Sequence, residues 1–175
     1  MEVILVRHTT PDIAKGICYG QADIDVTTTF EEEVSGILKK VPVNDTDVTY
    51  YSSPLQRCKL LAEKLSANVI FDNRLKELDF GDWELQKWND IDKKELDIWM
   101  NDFVKTPAKN GESYIDLHHR TTSFLTELKT KNHQKVVLVT HAGVMRSLWA
   151  YMNEIPLEKS FELKLNYGDT LTLHL

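Results

Sequence analysis

The sequence reads as a doubly wound, three-layer α/β/α domain whose sheet is mostly parallel with one antiparallel edge. Three features carry that reading. Short unbroken apolar runs rich in β-branched residues recur along the chain, as strands buried on both faces do. Segments with apolar residues at helical spacing lie between them, so strands and helices alternate. The 175 residues, 42% of them hydrophobic, suit one domain over residues 1–175 with a sizeable core, without repeats or low-complexity stretches.

Val3 to Val6 is the first strand, and it ends at Arg7-His8-Thr9-Thr10-Pro11. Residues 9–29 form a loop broken by Pro11, Gly16 and Gly20, and a loop of that length in a compact domain is usually functional. Thr27 to Thr29 offer an amino-terminal cap, and Glu31 to Glu33 match the dipole of a short helix ending near Lys40. Val48 to Tyr51 is the second strand. Pro54 sits in the first turn of the next helix, which runs to about Leu65 with Leu55, Cys58, Leu61, Ala62 and Leu65 on one face. Val69 to Phe71 is the third strand, and Leu75 to Glu84 then mixes carboxylates with aromatics around Gly81. Residues 85–105 are expected to be helical, with Pro107 and Gly111 as breakers, and Glu112 to Lys129 forms the next helix. Val136 to Thr140 is the fourth strand, followed by a helix from Ala142 to Met152. Phe161 to Leu165 and Leu171 to Leu175 flank Tyr167-Gly168-Asp169 and read as a hairpin at the sheet edge.

The formal charge is −6, from 27 acids against 21 bases, so the chain has no general attraction for nucleic acid or anionic lipid. An anionic substrate must be drawn by local cations. Cys18 and Cys58 are too few for a disulfide framework or a zinc site and read as reduced, partly buried thiols. The amino terminus enters a strand directly, with no signal peptide, and no apolar run approaches the ~20 residues of a membrane span. These features together point to a cytoplasmic protein.

Three strand ends then offer related chemistry: Arg7-His8 after the first, Ser53-Pro54-Leu55-Gln56-Arg57 after the second, and His141-Ala142-Gly143 after the fourth. Open α/β sheets place ligands beyond the carboxyl ends of their strands. Two arginines and two histidines there suit a phosphate dianion, because guanidinium donors match its oxygens. A neutral imidazole can attack phosphorus, and a second can donate to the equatorial oxygens in the transition state. The helix starting at Ala142 aims backbone amides at the same place. No carboxylate cluster of the kind magnesium needs lies near these ends, so no metal or other cofactor is expected. Glu77 is the candidate proton donor, although it is one of six acids between Asp72 and Asp90. Arg57, one turn into its helix, has the alternative of pairing with a surface acid. Trp83, Trp88 and Trp99 read as core or lid packing, and His118, His119, His133 and His174 receive no role.

Together these stretches resemble the histidine phosphatase superfamily, or phosphoglycerate mutase-like fold. Its Arg-His-Gly signature has a counterpart in Arg7-His8-Thr9, and its Ser-Pro-x-x-Arg motif in Ser53 to Arg57. Its glutamate before Gly-x-Trp-Glu is matched by Glu77 before Gly81-Asp82-Trp83-Glu84. Gly111-Glu112-Ser113 and His141-Ala142-Gly143 complete the order. The resemblance implies that His8 becomes phosphorylated, that Arg7, Arg57 and His141 hold the phosphoryl group, and that Glu77 is the acid. The chain departs from the pattern at Thr9 and Leu85, where glycines are usual, and at Ala14, where many members carry an asparagine that touches phosphate.

The stretch Gly16-Ile17-Cys18-Tyr19-Gly20-Gln21 with Asp23 looks like the alpha-ribazole phosphatase subfamily. Those enzymes remove the 5′-phosphate of alpha-ribazole phosphate, or of the corresponding cobalamin phosphate, late in cobalamin nucleotide-loop assembly. The substrate is then a small phosphate ester. The loop residues Thr9, Tyr19, Gly20 and Gln21 are expected to wall its leaving group, with Tyr19 available to stack on a base or ribose. A broad-specificity phosphomonoesterase, a phosphoglycerate mutase and a non-catalytic phosphate-binding protein remain as alternatives. The shortness of the chain weighs against the mutase, and the intact Arg7, His8, Arg57, Glu77 and His141 weigh against the binder.

Overall fold

Five strands form one sheet: β1 (Glu2–Arg7), β2 (Val48–Ser52), β3 (Val69–Phe71), β4 (Lys135–Thr140) and β5 (Thr170–His174). The computed structural model describes every residue from Met1 to Leu175. The spatial order is β3-β2-β4-β1-β5, with β1, β2, β3 and β4 parallel and β5 running antiparallel to β1.

The alternation of β1 sorts its side chains between two helical layers. Val3 and Leu5 face helices α4 (Tyr114–Thr130) and α5 (Ala142–Met152), in a core with Phe124, Leu125, Leu138 and Leu148. Ile4 and Val6 face α1 (Phe30–Ile37) and α2 (Gln56–Leu65), among Val34, Leu61, Leu65 and Val139. A smaller apolar cluster under the remaining helix, α3 (Lys93–Asn101), buries Cys18, Trp83, Ile91 and Ala108. No helix is long and apolar enough to cross a membrane.

The register decides where function can sit. Arg7 pairs with Thr140, and Ser52 with Val139, so the carboxyl ends of β1, β4 and β2 lie level. The pairing continues one residue further, with the His8 amide donating to the Thr140 carbonyl at 3.0 Å and the Ser53 amide to that of Val139 at 3.0 Å. Arg7-His8, His141 and Ser53 therefore emerge side by side.

Several local expectations are corrected. The terminal hairpin does not form: Phe161 lies in a 3-10 helix, Leu157–Glu162, and only β5 is a strand. The carbonyls of Leu163 and Leu165 are taken by Arg146 and Arg7, so they are not available to a ladder. Within residues 85–105 only α3 and a single 3-10 turn, Trp88–Asp90, are helical. Ahead of them the chain turns at Leu85 and forms a single bridge from Lys87 to Ile17, because the backbone of Gly16 and Cys18 pairs with the amides of Leu85 and Trp88 and the carbonyl of Gln86. Helix α4 starts at Tyr114 instead of Glu112, since Ser113 and Asp116 form a reciprocal capping box. Helix α1 stops at Ile37, short of Lys40. Thr29 occupies its N-cap position without capping it, because its hydroxyl donates to Glu33 Oε1 at 2.6 Å. Both cysteines are fully buried, not partly so.

Candidate active site

The level strand ends bring Arg7, His8 and Arg57 to one cavity, with His141 buried against the His8 ring just behind its wall. His8 is 2% exposed, and Arg57 and His141 are 0% exposed. The two imidazoles meet edge to face with centroids 5.1 Å apart. His8 Nδ1 lies 2.7 Å from the carbonyl of Thr9, which can only accept, so Nδ1 carries the proton. That bond leaves Nε2 as the unprotonated nitrogen. Burial, and then the Arg57 guanidinium, hold both histidines well below the ordinary imidazole range, so both are neutral near pH 7. One nitrogen of His141 meets Ser53 Oγ at 2.9 Å, and Cys58 Sγ lies 3.4 Å from the same atom.

Neither arginine is paired with an acid. Arg57 donates to the carbonyls of Ala22 and Gly20, at 3.0 and 2.5 Å, so the surface-acid alternative does not hold. Arg7 donates to the Leu165 carbonyl at 2.7 Å and stacks on Tyr167, with Cζ 4.1 Å from the ring centre. The Nε groups of both arginines are buried without a partner in the protein. Unneutralised, partly unpaired guanidinium groups beside neutral imidazoles make an anion site.

Glu77 reaches the same cavity from the segment after β3. Its Oε2 accepts from the Gly143 amide at 3.0 Å, and its Oε1 from the Leu78 amide at 2.9 Å. The first turn of α5 thus spends one of its free amides on Glu77, while Ala142 lines the cavity. Gly143 has to be glycine for this contact, since a Cβ there would lie 2.2 Å from Oε1.

The loop residues divide. Tyr19 lines the cavity, but Thr9, Gly20 and Gln21 do not. Thr9 is fully buried, and its part is the carbonyl that orients His8. The Gly20 carbonyl holds Arg57, and Gln21 Nε2 donates to the Glu77 carbonyl at 3.1 Å. The amides of Gly20, Gln21 and Ala22 all donate to Glu84, whose carboxylate also takes the Phe80 amide. These residues shape the site without forming its wall, because a carboxylate turns three consecutive amides away from the cavity. Among the tryptophans, Trp83 is core, as expected, whereas Trp88 is part of the cavity wall.

Sequence reasoning missed four residues that face the cavity or its mouth. Arg146, one turn along α5 from Ala142, is half-buried with Nε on the Leu163 carbonyl and Cζ 4.8 Å from the Phe161 ring centre. Tyr114 and Phe161 add aromatic wall. Tyr167 stands 5.5 Å from the His8 ring, and its hydroxyl meets that of Tyr19 at 2.8 Å. The alternation of polar and apolar residues around Arg146 in α5 was the one available signal; the others lie in segments without periodicity. The cavity holds about 250 Å³ and continues into an apolar annexe lined by Trp88, Leu96, Trp99, Met100 and Phe103.

The model of the histidine phosphatase superfamily (branch 1) matches residues 3–175. Over 177 residues the chain is 30% identical to the adenosylcobalamin/alpha-ribazole phosphatase of Escherichia coli, covering 96% of this chain and 87% of that protein. It is 26% identical over 184 residues to phosphoserine phosphatase 1 of Hydrogenobacter thermophilus, covering 100% and 87%. Its fold is shared with the alpha-ribazole phosphatase of Shigella flexneri, at a TM-score of 0.87 and 23% identity over 100% of this chain and 91% of that one. A mycobacterial glucosyl-3-phosphoglycerate phosphatase superposes with a TM-score of 0.82 at 22% identity, covering 98% and 88%.

Proposed function

The chain belongs to the histidine phosphatase superfamily and is a phosphatase, and from that premise we propose that it hydrolyses alpha-ribazole 5′-phosphate through a phosphohistidine. The observation that carries the mechanism is the His8 Nδ1 bond to the Thr9 carbonyl, which fixes Nε2 as the nucleophile beside two acid-free arginines. Nε2 attacks phosphorus as the bond from phosphorus to the ester oxygen breaks. Arg7, Arg57 and His141 take the charge gathering on the equatorial oxygens. Glu77 gives its proton to the departing oxygen. Water then attacks the phosphohistidine, Glu77 recovers the proton from it, and the P–N bond breaks to release phosphate and neutral His8. Residues 1–175 act as one domain in this scheme, and the two buried free thiols fit a reducing, cytoplasmic setting.

Two features support alpha-ribazole phosphate over smaller esters. The loop from Gly16 to Gln21 resembles that subfamily, and a relative named for the activity is 30% identical. Beyond the phosphate end the wall is apolar and aromatic, with Ile17, Tyr19, Phe80, Trp88 and Phe161, as a leaving group carrying a flat ring requires.

The test compares kcat/KM across leaving groups. Alpha-ribazole phosphate should exceed small sugar phosphates by well over tenfold, more than ~1.4 kcal/mol of differential transition-state binding. Trp88→Ala should erode that preference while sparing the small esters. Equal rates on unrelated phosphates would favour a broad-specificity phosphatase instead. Quenching in strong base should trap acid-labile phosphate on the wild type and none on His8→Ala.

A further inference from the structure

Gly111-Glu112-Ser113 stands out in the sequence, yet Glu112 is absent from the cavity wall. Its carboxylate grips Arg120 of α4 on both sides, Oε1 to Nε at 2.7 Å and Oε2 to the Nη2 group at 2.9 Å. The pair sits directly behind Glu77. Arg120 Nη1 donates to the carbonyls of Arg74 and Lys76, at 2.7 and 2.6 Å, and Nη2 donates to the Glu77 carbonyl at 2.9 Å. Glu112 completes the grip: its Oε2 accepts from the Asp79 amide at 3.1 Å, and its own amide donates to the Asp79 carbonyl at 2.8 Å.

We infer that Arg120 and Glu112 are positioning residues for the general acid, a clamp that fixes the backbone from Arg74 to Asp79 and so aims the Glu77 carboxylate. Residues 77–80 have no helix or strand of their own, so no ladder holds them. Side chains must supply that order, and one planar guanidinium has the fixed fork to reach three carbonyls and a carboxylate together. The ion pair is itself largely shielded, with side-chain exposures of 17% and 23%. Arg120 is anchored in the middle of a long helix packed on the sheet, which makes it a rigid mount. Neither residue touches the substrate: both act through Glu77. The inference rests on the reading of Glu77 as the proton donor.

The experiment measures kcat/KM on an alkyl phosphate, whose leaving oxygen needs a proton, and on an activated aryl phosphate, whose phenolate does not. The enzymes are wild type, Glu77→Gln, Arg120→Lys, Arg120→Ala and the double variant Arg120→Ala/Glu77→Gln. Each Arg120 variant should lose about tenfold or more on the alkyl ester and little on the aryl ester. Inhibition by inorganic phosphate should stay unchanged, as should the wild-type aryl rate in Arg120→Lys, which keeps the charge if Arg120→Ala fails to fold. The double variant should be no slower on the alkyl ester than Glu77→Gln alone, because the clamp has nothing left to aim. Equal losses on both esters, or losses that multiply in the double variant, would overturn the clamp. Glu77→Gln slowing both esters equally would instead remove Glu77 from the acid role, a result visible in that variant alone.

Discussion

Replacing Gly143 by alanine puts one methyl group 2.2 Å from Glu77 Oε1, 3.1 Å from its Cδ and 3.4 Å from Oε2. Ordinary carbon–oxygen contact requires Oε1 to retreat by about 1 Å. The carboxylate is the far end of a flexible side chain, so it can swing aside at little conformational cost. The backbone at residue 143 lies in the first turn of α5, where alanine is favoured over glycine by up to ~1 kcal/mol. Stability should therefore hold or rise slightly while the acid is displaced. A misplacement of about 1 Å can cost ~10²-fold, within the ~10²–10⁴-fold that a general acid supplies. Gly143→Ala should lower kcat/KM on an alkyl phosphate by about 10²-fold, with a much smaller loss on an activated aryl phosphate and an unchanged or raised Tm. Steady-state kinetics on the two esters and a thermal melt decide it. Alkyl turnover within threefold of wild type would refute the reasoning, as would equal losses on both esters, which would mean that the methyl obstructs the phosphate end instead.

Two further outcomes concern stability. Burial and the neighbouring arginines depress His8 and His141 in the fold, while each returns to about 6.5 in the unfolded chain. Between those values the unfolded state binds protons that the folded state refuses, so stability is full above ~6.5 and falls as the pH drops below it, by up to ~2.7 kcal/mol per pH unit for the pair. His118, lowered by its burial, adds to the same trend. Urea unfolding from pH 7.5 to 5.5 should show this slope, with a shallower one in His141→Gln; a flat profile would contradict neutral buried imidazoles. Leu85, exposed and at φ 67°, keeps the left-handed backbone of the glycine usual at its position. That conformation costs an L-residue ~1–2 kcal/mol, partly offset by the ~0.5–1 kcal/mol that glycine loses in entropy, so Leu85→Gly should raise Tm by about 1–4 °C. A lowered Tm would show that the leucine side chain stabilises this turn.

Much of the site was legible because its parts are local. A buried strand is a short apolar run, and a residue at its end is marked by position alone; Arg7, His8 and His141 are singled out that way and Arg57 just beyond, in the helix that follows β2, and the parallel register brings the three strand ends level. Glu77 needed the motif around it, since six acids share its stretch and none differs in composition. Tertiary structure decided what depends on partners far along the chain. Gly20 and Gln21 look like pocket residues in a loop, but Glu84, more than 60 positions away, binds their amides and turns them into scaffolding. The expected hairpin gave way because Arg7 and Arg146 claim the carbonyls of Leu165 and Leu163. Arg120 reads in the sequence as one more charge on a helix, and only the folded chain sets it behind the Glu77 carbonyl, 43 residues upstream. Hydrophobic spacing reports which face of an element is buried, whereas a polar side chain is satisfied by whichever distant carbonyl or carboxylate the packing delivers.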